Sequence, residues 1–249
     1  MDDRSARQTS AFAKYGLLLA ILCATAGVLS GLGYRLGWWP LRVGFGIARW
    51  SAYFAIAAAV ISLAGAVATR PGSERRGLAF AVLGVVIAIG AFGWPALMQY
   101  RARHLPPIHD ITTDTGNPPK FVAVLPLRAG AANPTDYQGP DVAVQQRKAY
   151  PQLAPLETKV PPEQAFSRAL ATARDMGWTI IAAVPAEGRI EATDSTLFYG
   201  FKDDVVVRIT PTSTGSRVDV RSESRIGKSD MGTNARRITA FLDKLASNA

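Results

Sequence analysis

The sequence predicts an α+β protein in which three N-terminal transmembrane helices precede a small antiparallel-sheet domain (helix, four strands, helix) with its helices packed on one face. Three observations lead to this prediction. All long uncharged stretches lie before residue 101, prolines concentrate in the middle of the chain, and the last third shows strand and helix periodicity. With 48% apolar residues among 249, the chain is too hydrophobic to be disordered or collagen-like.

The three uncharged stretches are each long enough to cross a bilayer as a helix. They cover about residues 15–34, 51–69 and 77–100, which are 20, 19 and 24 residues long. At 1.5 Å per residue, roughly 20 residues cross a hydrocarbon core of about 30 Å. Arginines bound the stretches and aromatic residues lie near their ends, as is typical of a membrane interface. We therefore predict a membrane domain over residues 1–104 that contacts membrane lipids through three helices.

The first stretch could instead be a cleaved signal peptide. Arg4, Arg7 and Lys14 precede it, and an Ala-Thr-Ala tripeptide at residues 24–26 would suit a signal peptidase. However, the apolar run of 20 residues continues past that site, whereas the apolar region of a signal peptide has roughly 7 to 15. A retained span is therefore favoured over cleavage.

The positions of lysine and arginine predict the membrane topology. Six lie in the N-terminal tail and the second loop, and five lie in the first loop and just after the third span. Because cytoplasmic loops carry the excess of these residues, the N-terminus is predicted to be inside. Three spans then place residues 105–249 on the outer side, which is the periplasm if the protein resides in a bacterial inner membrane.

The net charge of +9 does not indicate nucleic-acid binding. Residues 1–104 hold 11 of the 28 Lys and Arg and 3 of the 19 Asp and Glu, so the remainder carries only +1. A domain that binds phosphate backbones needs its positive excess on the binding surface. The single cysteine, Cys23, lies within the first span, which excludes a disulfide framework and a cysteine-based metal site. We predict no cofactor, no metal site and no nucleic-acid partner.

The middle of the chain is rich in proline. Residues 105–162 contain 11 of the 16 prolines, which argues against long helices, and residues 121–127 alone have strand-like composition. Aliphatic and aromatic residues recur here, although flexible linkers are poor in them. We predict that residues 105–160 form an extended segment that packs on the domain at residues 161–249.

That domain shows the periodicity of two helices and four strands. The elements are predicted at about residues 162–176 (helix), 178–184, 189–193, 205–209 and 217–223 (strands) and 231–246 (helix). The two strand pairs read as hairpins. In the last strand Arg217, Asp219, Arg221 and Glu223 alternate with apolar residues, so they are predicted to face solvent.

Two polar clusters are candidate functional sites. One surrounds the predicted start of the last helix, where backbone N–H groups could bind an anion or another ligand; it consists of Arg225, Lys228, Ser229, Asp230 and Asn234. Helix capping by Ser229 or Asp230 is the favoured interpretation of that cluster. The other could supply an acid and a base; it consists of His109, Asp110, Asp114, Asp203 and Asp204.

Neither cluster predicts a catalytic residue. Asp203 and Asp204 are adjacent in a strand, so their side chains should point to opposite faces and cannot act together. The serines have no histidine in their own domain and no nucleophile motif.

Four runs of sequence resemble a known family. These are PPIHDITTDTGNPPKF (106–121), AYPQLAPL (149–156), GFKDDVVVRI (200–209) and VDVRSESRIGKSDMGTNARRITAFLDKL (218–245). They are similar to the bacterial and plastid family catalogued as domain of unknown function 1499, over about residues 106–246. The resemblance implies a membrane-associated or exported protein. It supplies no activity, cofactor or catalytic residue.

These observations favour an envelope protein anchored in the inner membrane, whose periplasmic domain is a non-enzymatic module that binds a protein or lipid partner. The alternative is a membrane-anchored hydrolase that uses His109 and Asp110 or the turn at residues 229–234. Catalysis needs a nucleophile, a base and an orienting group within bonding distance. The position of His109 relative to that turn therefore discriminates between the two hypotheses.

Overall fold

The computed structural model describes residues 8–247 and divides the chain into two compact units. Among these residues, the first unit comprises 8–100 together with Leu197–Gly200. The second comprises Arg101–Thr196 and residues 201–247.

Three long helices make up most of the first unit. They are α1 (Ala11–Arg35), α2 (Leu41–Ala68) and α3 (Leu78–His104). Each is long and apolar enough to cross a membrane, which confirms the three predicted spans. α2 begins ten residues before the predicted start at residue 51. The prediction followed the absence of charge, but a helix continues through charged residues as long as its backbone bonds are made.

The helices of the first unit pack through small side chains. Ala20, Ala58 and Ala88, one from each helix, form a buried cluster. At Gly65 of α2, an added Cβ would lie 2.7 Å from the backbone nitrogen of Ala13 in α1. Large aliphatic and aromatic side chains point outward instead. This distribution is typical of membrane helices, because lipid provides no hydrophobic drive for association and close packing must supply the attraction.

The second unit is built on one antiparallel sheet. Its strands are β1 (Asp110–Thr112), β2 (Leu156–Thr158), β3 (Thr179–Val184), β4 (Arg189–Ser195), β5 (Lys202–Thr212) and β6 (Gly215–Ser224). The strand order is β1-β6-β5-β4-β3, and β2 pairs with the same edge of β6 as β1 but farther along it. The four predicted strands are confirmed, and two short strands extend the sheet.

Two helices cover one face of this sheet, as predicted. They are α5 (Pro162–Asp175) and α6 (Thr233–Ser247), and their apolar faces pack on β4, β5 and β6. The centre of this core includes Phe241 of α6, whose ring stacks on Trp178 at 5.1 Å between centroids. The α+β architecture follows from burial of one amphipathic face of each helix against alternate residues of the strands.

The proline-rich segment covers part of the opposite face of the sheet. Phe121 and Val124 are buried there against Val206 of β5. The segment is not extended throughout, contrary to expectation: it contains α4 (Pro140–Ala149), and the strand-like residues 121–127 form a turn leading into a 3₁₀ helix, Leu125–Arg128. Proline is compatible with the first turn of a helix, so α4 can start at Pro140, and Pro126 likewise favours a turn over a strand.

Replacement of Gly65 by alanine should loosen the first unit. The added Cβ would overlap the α1 backbone at Ala13, and overpacking of this kind costs about 1–3 kcal/mol. Gly90 in α3 has open space around its Cα, so Gly90→Ala should raise stability slightly through helix propensity. Thermal unfolding of the full-length protein in detergent should therefore give a lower midpoint for Gly65→Ala than for Gly90→Ala. Equal midpoints would contradict this packing.

Candidate functional site

The sheet face opposite α5 and α6 carries a buried layer of charged side chains, which we call the charged face. Its buried charged residues are Asp110, Glu191, Asp204, Asp219, Arg221 and Glu223, and the partly buried Arg208 and the uncharged Thr193 lie beside them. The prediction that the alternating charges of β6 face solvent is wrong for three of its four residues. Asp219, Arg221 and Glu223 are 0%, 3% and 1% exposed. Alternation places them on one face, but residues of the proline-rich segment cover that face.

Arg221 lies at the centre of the charged face. Its Nε and Nη2 donate to the two carboxylate oxygens of Asp110 at 2.9 and 2.8 Å. Nη2 also donates to the carbonyl oxygen of Thr135 at 2.7 Å, and the guanidinium lies 4.8 Å from the centre of the Phe121 ring. One side chain of β6 thus contacts β1 and two separate parts of the proline-rich segment that covers this face, at Phe121 and at Thr135. We call this part of the chain the covering segment.

Asp204 of β5 forms the second focus. Arg128, from the 3₁₀ helix, donates to it at 2.8 Å, and Arg225 donates to both its oxygens at 2.8 Å. Thr193 adds a bond of 2.6 Å. Burial alone would raise the pKa of Asp204, but hydrogen bonds from Arg225, Thr193 and Arg128 outweigh it and lower that pKa. The carboxylate is therefore a charged structural acceptor.

Glu191 of β4 binds the backbone of the covering segment. Its carboxylate accepts hydrogen bonds from three successive amides, those of Val122, Ala123 and Val124, at 2.9–3.0 Å. Arg189 on the same strand pairs with it. An arrangement of consecutive N–H groups around one anion is a backbone nest, here filled by the protein's own carboxylate. The sequence contained no signal for this contact, because it depends on which segment covers the face.

Glu223 of β6 lies between two other carboxylates. It is the cross-strand neighbour of Asp110 on one side and of Asp204 on the other. One oxygen is 3.3 Å from Arg128 and Oε2 is 3.6 Å from Arg221, although Oε2 accepts no hydrogen bond. Burial, and then the charge of Asp110, raise the pKa of Glu223 to about 8 against the opposing effect of Arg128. Glu223 therefore holds a proton at neutral pH.

A smaller polar network lies on the helix side of the sheet. Arg237 of α6 donates to Asp203 at 2.6 Å and to Asp194 at 2.8 Å. The buried side chain of Asn234 bonds to the Ser222 hydroxyl and to the carbonyl oxygen of His109. Asp203 and Asp204 thus point to opposite faces, as predicted from strand alternation.

The predicted ligand site at the start of α6 is occupied by the protein's own groups. Asp230 accepts from the amides of Gly232 and Asn234 at 2.9 and 2.7 Å, which is capping chemistry. The Ser229 hydroxyl accepts from the Met231 amide at 3.2 Å, and of this cluster only Lys228 is exposed. A ligand-binding role for these residues stays a prediction.

The His109 ring lies beside this turn, but its polar contact there is with a backbone carbonyl group. Its Nδ1 lies 3.4 Å from the carbonyl oxygen of Lys228, and its Nε2 lies 3.4 Å from the Gln138 amide nitrogen. The Ser229 hydroxyl is directed to the carbonyl oxygen of Pro106 at 3.4 Å. A histidine that acts as a base must bond to the group it deprotonates. The contacts of His109 and Ser229 instead connect the residues before β1 with the residues before α6, which is a structural role.

The five residues of the second predicted cluster do not converge on one site. Asp110 and Asp204 lie on the charged face, each paired with arginine, and Asp203 lies on the other face. Asp114 follows β1 in the chain and accepts hydrogen bonds from Arg208 and Arg217 at 3.2 and 3.0 Å. Within residues 8–247, no three His, Cys, Asp or Glu side chains are grouped so that they could hold a metal ion.

A family model described as a protein of unknown function (DUF1499) matches residues 110–245. The matched region runs from β1 into α6, so it includes the covering segment, the charged face and the sheet. No curated protein matches the chain.

The charged face should make stability depend on pH through Glu223. Because its pKa is raised to about 8, the folded state keeps a proton that the unfolded chain releases between the ordinary glutamate pKa and about 8. The free energy of unfolding should therefore fall as pH rises through this window, by on the order of 2–4 kcal/mol.

Glu223→Gln mimics the protonated side chain and should lack this component. Denaturant midpoints of the full-length protein and of Glu223→Gln, measured from pH 5 to pH 9, should diverge in favour of the variant as pH rises and run parallel above about 8. Parallel profiles over the whole range would contradict the assignment.

Proposed function

This chain belongs to the DUF1499 family of proteins of unknown function, and we propose from its own structure that it is a membrane-anchored binding module without catalytic activity. In this proposal the three helices anchor the protein in a bacterial inner membrane. The sheet domain in the periplasm binds a protein partner of the cell envelope.

One observation carries the proposal: the polar groups that hydrolysis would require are committed to structural bonds. Asp204 accepts from two arginines and a threonine, and Asp110 is held in a bidentate pair by Arg221. Asp230 caps backbone amides. A catalytic group must be available to a substrate, whereas each of these carboxylates is bonded to arginine, threonine or amide groups of the protein and stabilises the fold.

The covering segment offers a surface suited to a partner. Val122, Leu125 and Leu127, which we call the apolar ridge, are 52%, 44% and 51% exposed. Two side chains hold the backbone of the ridge in place. Glu191 accepts a hydrogen bond from the Val122 amide, and Arg225 donates to the Leu127 carbonyl oxygen at 2.7 Å. Ordering of a loop costs binding energy, so a ridge held in place before binding favours affinity.

A protein partner fits the ridge better than a charged lipid surface does. Residues 105–249 carry a formal charge of only +1, which gives little attraction for anionic headgroups. An apolar centre with a polar surround is the usual composition of a protein interface. Lipid remains the alternative that the experiment below can detect.

The periplasmic placement rests on the charge distribution around the spans. Six lysines and arginines flank the spans on the proposed inner side and five on the outer side. Three helices able to cross a membrane support an opposite placement of the two termini.

Charge on the apolar ridge should abolish binding. We expect the double variant Leu125→Asp/Leu127→Asp to lose a protein that is recovered with the wild type after cross-linking in membranes and purification of the full-length chain. Val144→Asp is the matched control, because Val144 is an exposed apolar residue outside the ridge, on α4. Mass spectrometry of the purified material should identify the same partner with the wild type and with the control.

Two results would contradict the proposal. Recovery of the same protein with the ridge variant would remove the ridge as the binding surface. Hydrolysis of an ester or peptide substrate by purified protein, abolished by His109→Ala, would establish the enzymatic alternative.

The orientation should be visible in fusions at the C-terminus. Alkaline phosphatase fused after Ala249 should be active, because it folds only outside the cytoplasm, and green fluorescent protein at the same site should be dark. A fluorescent fusion paired with an inactive phosphatase would reverse the orientation.

A further inference from the structure

The first unit contains a four-residue segment from between β4 and β5. Its residues, Leu197–Gly200, form an apolar and aromatic tip (LFYG). Ser195 and Thr196 precede this tip, and Phe201 and then Lys202 follow it. An isolated apolar tip of this kind requires a partner, because exposed large side chains at a loop tip cost solvation free energy.

Tyr199 holds the tip against α1 and α2. Its hydroxyl lies 3.1 Å from the hydroxyl of Ser30 in α1, which is itself buried. Its ring contacts Phe45 of α2 at 5.3 Å and Tyr34 of α1 at 6.2 Å between centroids. Arg35 donates to the carbonyl oxygen of Leu197 at 2.6 Å.

Gly31 in α1 leaves space that the tip occupies. A Cβ at Gly31 would lie 3.1 Å from Phe198, so any other residue there would press against the tip. The tip is therefore positioned by α1 and α2 through specific contacts.

The protein nevertheless leaves most of one side chain of the tip uncovered, and part of a second. Leu197 is 74% exposed and Phe198 is 39% exposed. The Phe198 ring lies 6.3 Å from Trp94 of α3. The residues around the tip belong to the end of α1, the start of α2 and the last third of α3, which is one end of the three spans.

That end has the composition of a membrane interface. Tryptophan, tyrosine and arginine near the ends of spans lie at the headgroup level, where their apolar parts contact acyl chains. An apolar residue held beside them faces lipid and not water.

We propose that residues 197–200 are inserted into the bilayer, where Leu197 and Phe198 contact lipid at the boundary between headgroups and acyl chains. Beyond the binding proposed for the apolar ridge, this inference assigns a further interaction surface, and its partner is lipid of the bilayer that the three helices span. The polar residues Ser195 and Thr196 on one side and Lys202, beyond Phe201, on the other limit the depth of insertion.

A fluorescence experiment on the full-length protein in phosphatidylcholine vesicles tests this insertion. Cys23→Ala removes the single native cysteine, and Leu197→Cys then carries an environment-sensitive NBD label at one site. Leu197 is mostly exposed, so its replacement removes little packing. The matched control is Ser213→Cys, in the exposed turn between β5 and β6. Elution as one species on gel filtration checks that both proteins are folded.

The label at residue 197 should emit at shorter wavelength than the label at residue 213. It should be quenched by nitroxide lipids that carry the spin label near the headgroup, and aqueous iodide should quench it less than it quenches the control. Quenching by iodide to the same extent at both sites would overturn the proposal, since it would place the tip in water. Protection from both quenchers at residue 197 would also overturn it, since the tip would then be covered by protein or by a second copy of the chain.

Discussion

The burial of charge beneath the proline-rich segment is the constraint on which the second unit depends. Arg221 loses its hydration there and replaces it with Asp110, two backbone carbonyl oxygens and aromatic rings. A buried charge that loses its partner costs about 3–5 kcal/mol. The sheet and the segment are therefore interdependent: neither could separate from the other without exposing apolar residues and breaking ion pairs at the same time.

The proline content explains why charged side chains were needed at this interface. A segment with many prolines cannot complete a regular pattern of backbone bonds, so its amides and carbonyls need other partners. The sheet supplies them from side chains, as Glu191 does for three amides and Arg225 for the Leu127 carbonyl oxygen. These bonds hold the backbone of the apolar ridge in a fixed position.

The first unit is packed differently, because its three helices are long and apolar enough to cross a membrane. Its interior consists of alanine, glycine and serine, which allow backbones to approach, and its large residues face outward. The contact between Tyr199 and Ser30 follows the same logic, since a hydroxyl in an apolar medium gains from a hydrogen bond. The polar group of the tip at residues 197–200 thus bonds within the helices, while Leu197 stays mostly exposed.

Local patterns in the sequence determined the elements and the class of fold. Uncharged length specified the three spans, and the periods of two and 3.6 residues specified the four main strands, α5 and α6, because these signals depend only on neighbours in the chain. The alternation in β5 also determined that Asp203 and Asp204 point apart.

Tertiary structure alone decided which faces are buried and which polar groups meet. Alternation showed that Arg217, Asp219, Arg221 and Glu223 share a face, but it carried no information about the segment that covers three of them. The partners of Glu191 lie nearly 70 residues away in the chain. A contact over that distance arises from the fold as a whole, because burial pairs each charge with whichever opposite group the packed layers bring within reach.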